Sequence, residues 1–279
     1  MAVILMLVAL LALPFLLIAL LIFAARHEAR RHSWEFRISD IVSLAFTTLG
    51  RARTPILLTG LVLALPSLAL QLVLGVDLSR SMFQMESEQL VALIGFGGLL
   101  GLVFGTLGEV IMTALALDAL AGRPADFRVA FAKGLRLLLP AVLIRILWWL
   151  GVIFGTMLLF IPGLILMLTW LIVLPVLVAE GTGVFASFGR SGALVRGARW
   201  RLLLLVAIVA VAFSMVSGMG QGFMLASATE AARITGAVIQ SLLTMVSSAL
   251  TVTGLSAVYH QLKSQREGLV GEDLEAVFA

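Results

Sequence analysis

Apolar and polar positions alternate along this chain on the scale of whole helices rather than single turns. Seven continuous apolar stretches can be marked out: residues 2–25, 55–74, 90–121, 139–159, 162–179, 202–226 and 237–259. Each is predominantly apolar and long enough to be a spanning helix. About 20 such residues cross the roughly 30 Å of a bilayer's hydrocarbon. The pattern predicts an all-α, polytopic integral membrane protein with about seven transmembrane helices. Residues 1–32 read as an N-terminal anchor with a basic flank, 33–260 as a six-helix membrane domain, and 261–279 as a mobile cytoplasmic tail.

The connectors carry a second periodicity. In 38–52 (ISDIVSLAFTTLGRA), Ile38, Ile41, Val42, Ala45 and Leu49 share one helical face, with Ser39 placed as an N-cap. In 126–138 (DFRVAFAKGLRLL), Phe127, Ala130, Phe131, Gly134 and Leu138 do the same. An Ala-Phe pair precedes a proline by the same interval in both, Ala45 to Pro55 and Ala130 to Pro140. Residues 183–199 (GVFASFGRSGALVRGAR) match in character. Short basic helices with one apolar face lie in the headgroup plane. The domain therefore reads as three hairpins, each preceded by an amphipathic interfacial helix. Between the fourth and fifth spans only Phe160-Ile161-Pro162-Gly163 is left for an outer turn, so this hairpin should be short and central.

Charge orients the array. Sixteen of the nineteen Lys and Arg residues fall in alternate connectors or after residue 259, which places those segments in the cytoplasm. The N-terminus is then outside and the C-terminus inside a bacterial inner membrane. The first span resembles no signal peptide: its charges (Arg26, Arg30, Arg31) follow the apolar run, and Phe23 stands where a small residue is needed for cleavage. A composition 61% hydrophobic and 12% charged, with a net charge of +4, points the basic flanks at anionic lipid headgroups rather than nucleic acid. With no Cys, disulfides and thiolate sites are excluded.

Ionisable side chains inside spans are functional candidates because burying them is costly. Glu109, Asp118 and Arg145 qualify. Counted inward at 1.5 Å per residue, Glu109 and Arg145 lie at similar depths on consecutive antiparallel spans. Arg145 therefore either pairs with Glu109 or extends back to the cytoplasmic headgroups. Gly97, Gly101 and Gly105 form two GxxxG steps for close helix approach, within the monomer or across a homo-oligomer. Ser214, Ser217 and Gln221 form a polar stripe on the sixth span, and Gln240, Thr244, Ser247 and Thr251 one on the seventh. These stripes suit helix packing, or the wall of a polar path. His27, His32 and His260 all flank spans, and no phosphate loop, GxSxG elbow or HExxH helix occurs, so no catalytic, cofactor-binding or metal-ligating residue is assigned.

Several short runs carry a family likeness: EFRISDI (35–41), IPG (161–163), LPVLVAEG (174–181) and RSGALVRGARWR (190–201). Together, over about residues 33–260, the chain resembles the membrane-domain superfamily found fused to some glycerophosphodiester phosphodiesterases and in free-standing bacterial inner-membrane proteins. The resemblance implies fold and location. The family's phosphodiesterase activity belongs to a separate soluble barrel that these 279 residues do not contain. The expected role is non-enzymatic, organising lipid or a partner membrane protein. A transporter or flippase of a small polar or lipid-derived substrate is the alternative, and an intramembrane lipid enzyme the last.

Overall fold

A computed structural model of the chain describes residues 38–62, 95, 97–225 and 230–278. Among these residues all regular structure is helical. Helix α1 (Ile38–Arg51) passes through Ala52 into α2 (Arg53–Val62). Then follow α3 (Gly98–Leu120), α4 (Phe127–Leu158), α5 (Phe160–Thr169), α6 (Val173–Glu180), α7 (Val184–Val195), α8 (Arg199–Leu225) and α9 (Glu230–Phe278). Among the described residues, four stretches are long and apolar enough to cross a membrane: Gly98–Leu120, Phe127–Leu158, Ile161–Glu180 and Ser241–Gly268. A fifth is added if α7 and Arg199–Ser214, which meet at 99°, are one broken span. The first of the seven expected spans and residues 63–94 lie outside the described residues.

Two expectations are corrected by the backbone. The second interfacial segment is not a separate helix. Asp126 caps α4, its carboxylate accepting the Arg128 N–H at 2.8 Å, and the helix then runs unbroken through Pro140 to Leu158. Likewise, Phe160–Gly163 is not a turn but the start of α5. The reversal is made at one extended residue, Leu159 (φ −160°, ψ 138°). Pro162 falls in the first helical turn, where its missing N–H leaves nothing unpaired.

Glycine makes this hairpin so tight. A Cβ on Gly163 would sit 2.6 Å from the Thr156 backbone nitrogen, and one on Gly155 would sit 3.0 Å from Gly163 Cα. Trp170 lies directly over Gly151 on the same seam. Between α3 and α4, Gly134 likewise receives Ile111 and Leu107. Burying Leu against Leu gains little when the alternative is lipid, so such close backbone approach and dispersion carry helix association.

The repeat is visible in burial. Ala45 and Ala130 both point into the core, and the phenylalanine after each points out, Phe46 59% and Phe131 39% exposed. The third copy of the pair is Ser187-Phe188, with Gly197 ten residues on where the first two have proline. Ser187 is buried like the alanines, but Phe188 turns inward onto Trp170, with ring centroids 4.8 Å apart. Helix α1 seats Ile41 and Ala45 in a core shared with Leu168, Ile172 and Val176 of the Ile161–Glu180 stretch, and with Tyr259 and Leu262 of α9.

That same contact bears on the C-terminal region, where the sequence suggests a mobile tail from residue 261. Helix α9 continues past Tyr259, and Leu262 is fully buried, so packed helical structure extends beyond that boundary.

The packing predicts opposite outcomes for two alanine substitutions. Gly163→Ala should cost about 1–3 kcal/mol, because the methyl meets backbone that has no room to move. Gly189→Ala, with nothing within 4 Å of the added Cβ, should be neutral or stabilising by up to about 1 kcal/mol. Thermal unfolding of detergent-purified protein distinguishes them; equal melting temperatures would contradict the apex geometry.

Candidate functional site

The most heavily bonded polar centre among the described residues starts from a backbone break. Pro175 has no N–H and its ring crowds the Leu171 carbonyl, and here, unlike at Pro140, the helix gives way at that turn. Residues 170–172 form a turn instead, with the Leu171 N–H donating to Leu168 at 3.3 Å and the Val173 N–H to Trp170 at 3.3 Å. In an unbroken helix the Val173 N–H would bond Thr169. The freed Thr169 carbonyl accepts the buried Ser191 hydroxyl at 2.8 Å instead. That bond ties α7 to the break, and a Cβ on neighbouring Gly192 would sit 3.1 Å from the Thr169 methyl.

Helix α6 then ends at Glu180, with Gly181 in the left-handed conformation at φ 64° that an L side chain would resist. Thr182 and Ser187 share a hydroxyl hydrogen bond of 2.8 Å across the short link to α7. The turn directs Glu180 toward α7 and α9. Its carboxylate accepts Arg190 Nε at 3.1 and 3.2 Å, the Tyr259 hydroxyl at 3.0 Å and Lys263 Nζ at 3.4 Å. Lys263 also donates to the Tyr259 hydroxyl at 3.2 Å, and Arg190 reaches on to Glu267. Tyr259, Lys263 and Glu267 are spaced by four, so one face of α9 presents all three. The Glu180 side chain is only 16% exposed, while Arg190 and Lys263 keep contact with solvent. The carboxylate is thus the buried hub, and its cations remain hydrated at their outer edges.

A second charged centre lies deeper. Arg145 of α4 and Glu109 of α3 form an ion pair, with side chains 35% and 25% exposed among the described residues. Thr113 returns its hydroxyl to the Glu109 carbonyl at 2.6 Å, one turn further along. Asp118 does not join this pair. It binds Arg123 at 2.6 Å across the α3–α4 link.

Of the remaining sequence candidates, those among the described residues lie outside these two centres. A Cβ on Gly101 or Gly105 would meet nothing within 4 Å, and Gly97 is half-buried, so no described helix uses this face for close approach. Ser214 is exposed and bonds back to the Ala210 carbonyl at 2.8 Å. The side chains of Ser217, Gln221 and Gln240 fall outside the described residues. Thr244 and Thr251 are exposed and Ser247 half-buried. Among the described residues of α9, Thr253 and Ser256 are buried, next to buried Tyr259. Thr251 and Thr253 lie about 200° apart on a helix, so burial of one face leaves the other outside.

Sequence reasoning did not assemble the Glu180 centre. Its signals were an acidic residue closing an apolar span before glycine, and the i, i+4 series Tyr259, Lys263, Glu267. Two of the four runs quoted for the family likeness hold part of the junction. Pro175 lies in the first turn of α6, Glu180 and Arg190 pair, Gly181 and Gly197 take positive φ, Ser191 caps the break, and Leu194 is buried.

A bundle of long apolar helices with a charged junction at one end defines the class: a helical protein suited to a membrane. Compared with family signatures, with characterised proteins and with solved structures, the chain matches none of them.

Glu180→Gln removes the shared acceptor charge and should lower stability by about 2–3 kcal/mol, below the full loss for a deeply buried pair because the cations reach water. Tyr259→Phe should cost about 1 kcal/mol. Thermal unfolding measures both, and a Glu180→Gln protein as stable as the parent would show that the junction does not hold the helices.

Proposed function

We propose that the protein is a non-enzymatic inner-membrane protein whose cytoplasmic collar organises anionic lipid, and through that lipid a partner membrane protein or a second copy. The carrying observation is that two of the basic segments present exposed phenylalanine beside exposed arginine, and the third exposes a phenylalanine of its own. The two sets are Phe46 with Arg51 and Arg53, and Phe131 with Arg128 and Arg136; in the third segment Phe185 is 80% exposed near the start of α7, and exposed Arg196 follows the far end of that helix. Rings that reach into the acyl boundary and cations at headgroup level are the two halves of interfacial lipid binding. Near an anionic surface each Lys or Arg contributes about 1 kcal/mol. The alternation of basic connectors supports placing this collar in the cytoplasm, with seven spans and the N-terminus outside. The family likeness supports the same location.

Transport is the second reading, favoured by one observation. An ion pair as exposed as Arg145–Glu109, so far from the charged loops of α3 and α4, suits a hydrated or protein-covered path better than lipid.

In nanodiscs of mixed phosphatidylglycerol and phosphatidylcholine, the protein should retain phosphatidylglycerol preferentially when read by native mass spectrometry. Replacing Arg51, Arg53, Arg128 and Arg136 by Gln should weaken retention by about fivefold per arginine engaged. Retention indifferent to headgroup charge would sink the proposal. For the second reading, Arg145→Glu and Glu109→Arg should each destabilise the protein, and the combined swap should recover most of the loss. Flux of a polar solute abolished by the stable swap would move the assignment to transport.

A further inference from the structure

Helix α4 is longer than a bilayer requires, and its surplus carries most of its charge. About 20 residues cross the hydrocarbon, and counted back from Leu158 they reach Leu139. Residues 127–138 are left for headgroup depth, and they hold Arg128, Lys133 and Arg136. Lys133 and Arg136 are three residues apart on one helix, which makes their side chains neighbours, with about 5–6 Å between Cβ atoms.

Lys133 differs from the other collar cations in its surroundings. Arg51, Arg53, Arg128 and Arg136 are exposed and keep their water, whereas Lys133 is half-buried. Asp118 and Arg123, at the α3–α4 link, both stand within its electrostatic reach. The Asp118 carboxylate is already engaged, accepting Nε and Nη2 of Arg123 at 3.0 and 2.6 Å. Asp126 is spent on the N-cap of α4. Among the described residues, no ion pair or hydrogen bond reaches the Lys133 ammonium. A charge withdrawn from water is ordinarily paired, and the neighbour that helix geometry supplies here is a second cation. What the pair lacks is an anion, and the exposed side of Arg136 leaves an approach for one.

We infer that the cytoplasmic end of α4 seats the phosphate of one anionic membrane phospholipid, with Lys133 and Arg136 as its two donors. This rests on the lipid-organising reading and gives it a single place. Lys133 supplies a compact charge with three donors, and Arg136 a planar fork that matches phosphate oxygens. The acyl chains run down the same side of the helix. Leu143 and Leu150, about two and four turns beyond Arg136, follow its line and are 44% and 45% exposed. Arg51 and Arg53 act only as a diffuse field.

The test uses full-length protein in nanodiscs of phosphatidylcholine, with and without phosphatidylglycerol. Thermal unfolding reports stability, and native mass spectrometry reports the lipid retained. In phosphatidylcholine alone, Lys133→Met should melt no lower than the parent, because it removes a half-buried charge that has no partner. With phosphatidylglycerol, the parent should hold one tightly bound anionic lipid per chain. Lys133→Met and Arg136→Gln should each hold it about fivefold more weakly, while Lys133→Arg and Arg51→Gln/Arg53→Gln should keep it. A Lys133→Met protein less stable than the parent without anionic lipid would mean that Asp118 already satisfies the ammonium, and would overturn the seat. Retention unchanged in both Lys133→Met and Arg136→Gln would overturn the seat while leaving the collar reading intact. No anionic preference in the parent would overturn both. Stabilisation of the parent, but not of Lys133→Met, by millimolar inorganic phosphate in phosphatidylcholine would overturn the assignment to a phospholipid in favour of free phosphate.

Discussion

A peptide group buried in hydrocarbon has no water to bond with, and each one left unsatisfied costs several kcal/mol. The structure is organised around three places where the helical ladder is interrupted. At Leu159 the reversal takes one residue, and glycine lets the two backbones close on each other. At 170–172 the proline break frees the Thr169 carbonyl, and Ser191 supplies the missing donor. At Gly197 the bend is closed by a guanidinium from α9 on the Arg196 carbonyl. Satisfying the second and third of these fixes α7, and α7 carries Arg190 to Glu180.

The charged junction is therefore a consequence of backbone accounting as much as of attraction between ions. Glu180 closes a helix, and its carboxylate would be an exposed terminus if α7 and α9 were not drawn to it. Its donors come from residues 10, 79 and 83 positions away. Three helices are tied at one carboxylate, on the side where the apolar core of Ile41, Ile172, Leu194 and Leu262 also converges. Hydration of the outer cations keeps the cost of burial modest, so the junction can hold the helices and still present charge outward.

Much of this was legible in sequence, and the parts that were not have physical reasons. Apolar runs marked the helices because lipid and protein interiors both reject charge. Counting 1.5 Å per residue set Arg145 beside Glu109, since antiparallel neighbours share a depth scale. On the last helix two polar sets, Thr244 with Ser247 and Thr251, and Thr253 with Ser256, both satisfy helical spacing, and the second is the buried one. Spacing defines a face without saying which face is covered. The Glu180 centre was missed because hydropathy falls at Tyr259, where a span ends but a helix need not. Lys263 and Glu267 continue that helix as polar residues held by tertiary contact. The turn at Phe160–Gly163 was misplaced because Pro-Gly fits a loop and a first helical turn equally well.

The central claim is that α1, the α3–α4 link and the α6–α7–α9 junction form a single cytoplasmic face. Because the chain has no cysteine, single introduced thiols can report sidedness without background. Ser39→Cys, Pro124→Cys and Ala193→Cys should react with a membrane-impermeant maleimide only in inside-out vesicles, and Ser81→Cys only in intact spheroplasts. Labelling of the Ser39, Pro124 or Ala193 positions from outside the cell would contradict the account, because the collar and the junction could not then share one membrane surface.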